Sequence, residues 1–146
     1  MNTYCFLDCQ GGIVGPGLAV ILGAGAGAAE EGISWERDEE QDTITTGADG
    51  SITHNLNASK TGKIICRFLK TSPTNDLLSA AFNFQTQNGQ NHGQNTVTIA
   101  NNVTGDVITG QQMAFAKMPA NSFAKNANVI EWLFTGIVDQ SLGSGL

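Results

Sequence analysis

The sequence predicts a mostly β, α+β domain in which two packed antiparallel sheets form a barrel-like sandwich, flanked by one helix over about residues 72–84. Three observations predict it. Apolar and polar residues alternate in short stretches along most of the chain, the period of a half-buried strand. Only the stretch after Ser72-Pro73 carries a helical apolar stripe. Turn-forming Gly, Asn, Thr and Ser are abundant, while Pro is limited to Pro16, Pro73 and Pro119, a pattern that suits many strands joined by turns. At 146 residues the chain has the length of one domain, spanning 1–146, able to bury a core without disulfides or metal.

Tyr4 to Gln10 alternate as a first strand, and Gly11-Gly12 reads as the turn that ends it. Leu18 to Leu22 is continuously apolar between Gly17 and Gly23, the pattern of a buried strand. From Gly23 through Gly25 and Gly27 to Gly32 no large side chain offers an anchor, so 23–32 reads as a flexible Gly/Ala-rich loop. Ile33 to Arg37 and Thr43 to Thr46 are expected to pair as an acidic hairpin at about 33–46, its charged tip at Asp38-Glu39-Glu40-Gln41. Gly47-Ala48-Asp49-Gly50 is a turn. Ile52 to Leu56 and Lys63 to Leu69 read as neighbouring antiparallel strands. In the helix, Ser72 suits the N-cap, Pro73 the first turn, and Leu77, Leu78, Ala81 and Phe82 the apolar stripe. A polar loop over 87–95 precedes three further strands near 96–100, 106–117 and 128–138. In the last, Ile130, Trp132 and Phe134 alternate with Val129, Glu131 and Leu133.

Charged residues are only 14% of the chain, against roughly 25% in an average soluble domain, which suits a surface that meets other protein. The net charge of −6 is concentrated. Glu30, Glu31, Glu36, Asp38, Glu39, Glu40 and Asp42 are offset only by Arg37, and the rest of the chain is neutral. No basic stripe of the kind that neutralises phosphates is present. The acidic stretch reads either as a solvated turn or as a negative surface beside which a polyanion slides without sticking.

Cys5, Cys9 and Cys66 are odd in number and lack paired spacings. Within a strand, Cys5 and Cys9 would lie roughly 13 Å apart, so reduced structural thiols are expected rather than a disulfide frame or a zinc site. No basic-then-apolar leader opens the sequence, and its apolar runs are too short to span a bilayer; the expectation is synthesis in a cytoplasm without export by a leader.

The run Gly23 to Ala28 satisfies a relaxed dinucleotide fingerprint. Its physics needs a helix N-terminus for the pyrophosphate, and the following residues leave room for barely one helical turn. His54 reads as a strand residue and His92 as a loop residue, and no Ser or Cys stands in a nucleophile setting. Asp38 to Asp42 lacks the central Gly of a calcium loop. Trp35 and Trp132 fit core or interface anchors. No catalytic, cofactor or metal residue is assigned.

Glu30-Glu31-Gly32-Ile33, Gly47-Ala48-Asp49-Gly50, Leu69-Lys70-Thr71-Ser72-Pro73-Thr74-Asn75 and Asn91-His92-Gly93-Gln94-Asn95 occur in this order, closed by Ile130-Glu131-Trp132-Leu133-Phe134. Together they resemble a small family of phage structural proteins, which is similar to the tail tube proteins of contractile-tailed phages. The likeness covers nearly the whole chain, and Lys70 to Asn75 is its most distinctive part.

The resemblance implies a non-enzymatic subunit of the virion that forms hexameric rings stacked into a hollow tube. DNA would cross the lumen without specific binding. Tail sheath, tape measure and baseplate proteins would be its partners. The seven acidic residues are then candidates for a lumen or inter-subunit surface, with the lumen or its rim slightly favoured. Gly23, Gly25, Gly27 and Gly32 are candidates for an inter-ring loop. Another tube-like structural protein, from a secretion system or a tail-completion role, is the alternative; a nucleotide-binding enzyme, resting on the glycine run alone, is the weaker one.

Overall fold

The structure, a computed structural model, describes residues 4–23, 27–123, 125 and 128–143, with residues 28–31 described by their backbone alone. A short 3-10 turn, Phe6–Asp8, leads into β1 (Cys9–Gly15), β2 (Leu18–Gly23), β3 (Ala28–Arg37), β4 (Asp42–Thr46), β5 (Ile52–Leu56) and β6 (Thr61–Leu69). Then come α1 (Thr74–Thr86), β7 (Asn95–Asn101), β8 (Val107–Phe115) and β9 (Val129–Ser141). Two antiparallel sheets and one helix are present, as expected. They divide unequally: seven strands in the order β2-β1-β7-β8-β9-β6-β3, and β4-β5 alone.

The larger sheet curls, and chain connectivity requires it. Its two edge strands, β2 and β3, are consecutive in sequence and joined by residues 24–27. A flat sheet of that width would separate them by roughly 29 Å, whereas the link reaches at most about 19 Å. Bulges assist the bend. β3 shifts register between Ala28 and Ile33, with Gly32 at φ 65, and β8 shifts between Gln111 and Ala114, with Gln112 at φ 52. Such insertions sharpen local twist.

Curling gathers inward side chains from all seven strands' described residues and the helix around one core cluster. Ile13, Leu22, Ile64, Phe68, Val97, Met113, Phe134 and Val138 are fully buried there, and Trp132 is 2% exposed. Leu78 and Ala81 of α1 complete it. The helix starts as its sequence indicates: the Ser72 hydroxyl accepts from the Thr74 amide at 3.3 Å, and Pro73 sits where no N–H is required. Its buried stripe differs from expectation. Leu77 is 52% exposed, while Gln85 is buried because it exchanges two amide hydrogen bonds with Asn95, at 2.8 and 2.7 Å, and donates to the Pro16 carbonyl at 3.0 Å.

Several expected pairings are replaced. The first strand begins at Cys9, after the 3-10 turn, and Gly11-Gly12 lies inside it. A Cβ on Gly11 would overlap the Thr98 carbonyl oxygen, so glycine there permits close approach of β7 rather than a turn. The turn falls at Pro16-Gly17, with Gly17 at φ 70, the left-handed position a type II turn reserves for glycine. The acidic hairpin over 33–46 does not form, because β3 pairs with β6, and β4 pairs with β5 across the Gly47-Ala48-Asp49-Gly50 turn. Consequently β5 is not a neighbour of β6, whose partners are β3 and β9. The segment 23–32 is not one loop either, since β3 starts at Ala28.

Cys66 is fully buried, and desolvation pushes its thiol from the ordinary 9.0 up to about 12, with nearby Arg67 opposing. The folded state therefore keeps a proton that the unfolded chain releases. This contribution is intact below pH 9.0 and is lost as pH rises towards about 12, at about 1.4 kcal/mol per pH unit. Urea unfolding in this alkaline range should show a decline that Cys66→Ala flattens; an identical slope in the variant would refute the assignment.

Candidate assembly surfaces

The most unusual surface is the β4–β5 ribbon. It continues the β3–β6 ladder outward from the curled sheet: the Asp38 amide donates to the Thr61 carbonyl at 3.1 Å and the Asn57 amide to the Gln41 carbonyl at 2.7 Å. Its tip closes through Gly47 N–H to the Ser51 carbonyl at 2.7 Å. Asp49 holds the turn by accepting from the Ser51 hydroxyl at 2.7 Å and amide at 3.1 Å, and these bonds keep its carboxyl below the usual range.

All ten residues of the two strands are exposed. The register puts Asp42 and Leu56, Ile44 and His54, and Thr46 and Ile52 on one face. On that face Ile44 is 58%, Ile52 56% and Leu56 85% exposed, beside an Asp42–His54 pair at 2.9 Å. The opposite face is Thr43, Thr45, Thr53 and Asn55. A two-stranded ribbon without a third strand or a core beneath it is marginal in water, and contiguous exposed apolar side chains mark an interaction surface.

The outer face of the curled sheet is divided by charge. On β2, β1 and β7 it presents Ala19, Ile21, Val14, Gly12, Thr96 and Thr98, with no ionisable group. On β3, β6 and β9 the cations are paired: Lys63 with Glu36 at 3.0 Å, Arg67 with Glu131 at 3.3 Å, and Arg37 with Asp139 at 3.4 Å. Glu36 raises the Lys63 pKa accordingly. The edge strands β2 and β3 are each bonded on one side only.

The structure disperses the sequence-predicted acidic residues. Glu36 is engaged by Lys63 on the outer face of the curled sheet. Asp38, Glu39 and Glu40 lie at the base of the ribbon, where Asn57 donates to the Glu39 carboxylate at 2.7 Å, and Asp42 lies within it. Glu30 and Glu31 belong to β3. Among the glycines, Gly23 (φ 87) ends β2 against the Cys9 carbonyl, Gly27 (φ 76) sits by Ser72, and Gly32 is in the β3 bulge. Gly25 lies outside the described residues. The apolar face of the ribbon was missed, although two alternating segments flanking a Gly-Ala-Asp-Gly turn are themselves a hairpin signal. Among the described residues no helix is long and apolar enough to cross a membrane, and no three His, Cys, Asp or Glu side chains gather as a metal site.

A curled sheet with singly bonded edges, a projecting ribbon and a low-charge wall defines a structural subunit. The chain matches the family model of the bacteriophage PhiTE tail tube protein over residues 1–143 and belongs to that family. It is thus a phage tail tube protein, a component of the virion tail and of a self-assembling tube. No curated protein sequence matches it.

Proposed function

We propose that this chain forms hexameric rings that stack into the hollow tube of a contractile tail, through which DNA passes on ejection. It is made in the host cytoplasm and meets the sheath outside the tube, the tape measure within it and the baseplate at its end. The observation that carries this reading is the β4–β5 ribbon, which has an apolar face that nothing among the described residues of its own subunit covers. The singly bonded edge of β2, free of charge and of Pro, supports lateral pairing around a ring, since such an edge is a template for strand addition. Ion-paired cations and an uncharged sheet face also suit a conduit, because unpaired Lys or Arg along a lumen would bind phosphates and stall the duplex.

Negative-stain electron microscopy of the purified protein tests the assembly. Tubes with a central channel and six-fold end views are expected. Monomers alone at high protein concentration, or closed rings that never stack, would defeat the reading.

A further inference from the structure

We propose that the β4–β5 ribbon of one copy docks on the loop between β8 and β9 of the next copy, so that subunits join head to tail along β6. The inference rests on the tube-forming reading above and specifies the surfaces that meet. The partner is a second copy of this chain.

The two surfaces stand at opposite ends of one strand. The ribbon enters β6 at Thr61, while Leu69, at the other end of β6, is in register with Val129 at the start of β9. Lys70 then fastens the β8–β9 loop by donating to the Ser122 carbonyl at 2.6 Å. Nine residues of β6 separate these ends by roughly 30 Å. Two different, complementary patches on opposite ends make a heterologous contact, which propagates along an axis instead of closing as a pair.

Charge and hydrophobicity match. Residues 38–57 contain five acidic residues and no Lys or Arg. Residues 116–123 contain Lys117 and no acidic residue, with Lys125 just beyond; both lysines are exposed. In the same loop Phe123 is 91% and Met118 45% exposed, and Lys70 Nζ stands 4.3 Å from the Phe123 ring centre. An exposed aromatic with a cation over its ring on one surface, and exposed Ile44 and Ile52 on an acidic ribbon on the other, supply an apolar anchor and a charge register together. Lys60 and Arg37 stand at the ribbon's own root, outside the ribbon, and Arg37 is paired with Asp139 at 3.4 Å.

Charge exchange tests the pairing. Lys117→Glu with Lys125→Glu should leave a folded monomer, checked by thermal unfolding, and lower tube yield at least about ten-fold by placing like charges opposite one another. Adding Glu39→Lys and Glu40→Lys to the same chain should restore tubes. As an independent readout, Ala48→Cys with Asn121→Cys in a Cys5→Ser background should give a ladder of covalent multimers with a short bis-maleimide, while neither single cysteine does. Wild-type yield from the lysine variant, loss without rescue by the four-fold swap, or tubes that give no ladder would each overturn the proposal. Failure of the wild-type chain to form tubes would instead sink the tail-tube assembly itself.

Discussion

Replacing Trp132 with Ala is expected to lower the stability of the monomer by roughly 3–5 kcal/mol, the range for deleting a fully buried aromatic. Trp132 is 2% exposed, and its ring meets Phe115 edge-on with centroids 5.7 Å apart. Its indole N–H donates to Asn75 Oδ1 at 3.0 Å, which ties β9 to the first turn of α1. Truncation therefore opens a cavity and strips Asn75 of its donor. Against the roughly 5–15 kcal/mol of a typical domain the loss is severe. Denaturant melts of the purified monomer measure it. A variant as stable as wild type that no longer assembles would place Trp132 at an interface instead.

The opposite signature is expected of Ile44→Ser combined with Ile52→Ser. Both side chains are more than half exposed, 58% and 56%, on a ribbon that contributes nothing to the core cluster. Monomer stability should change by no more than about 0.5 kcal/mol. Assembly should suffer, because each side chain contributes about 1.5 kcal/mol or more when a neighbour covers it. A combined loss near 3 kcal/mol corresponds to a critical concentration raised on the order of a hundred-fold. Sedimentation of tubes across a concentration series reads this directly, and an unchanged critical concentration would remove the ribbon from the interface.

What was legible in the sequence follows from the range of the forces involved. Alternation located β5, β6 and β9, a continuous apolar run located β2, and the Ser72-Pro73 start located α1, because strand period and helix capping are local properties. Ile130, Trp132 and Phe134 were placed on one strand face for the same reason. Partner choice was not local. The acidic run Asp38 to Gln41 resembles a hairpin tip, yet β3 pairs with β6 beyond an intervening hairpin, a choice made by burying Ile33 and Trp35 against the core. Gly11-Gly12 was misread because glycine marks a turn and a close strand approach equally well, and only the neighbouring strand decides. Gln85 resisted reading because its burial depends on Asn95, ten residues away on another element. The acidic residues formed a block in sequence but not in space, since a strand, a junction and a ribbon carry them to different places. The ribbon and the β8–β9 loop acquire their relation only from topology, at the two ends of β6.

The continuity of β3–β6 with β4–β5 has a mechanical consequence. If successive subunits join through the ribbon and the far loop, axial tension on the tube enters one end of β6 and leaves by the other. The strands on both sides of β6 are antiparallel to it and hydrogen-bonded along its length. Pulling along such a strand loads its rungs together, as shear, rather than opening them one after another, as a zipper would. A subunit built this way resists extension with its whole ladder at once. The compliant points of the conduit would then be the joints between copies, not the curled sheets, so the tube would bend by hinging at its seams while each wall segment keeps its bore.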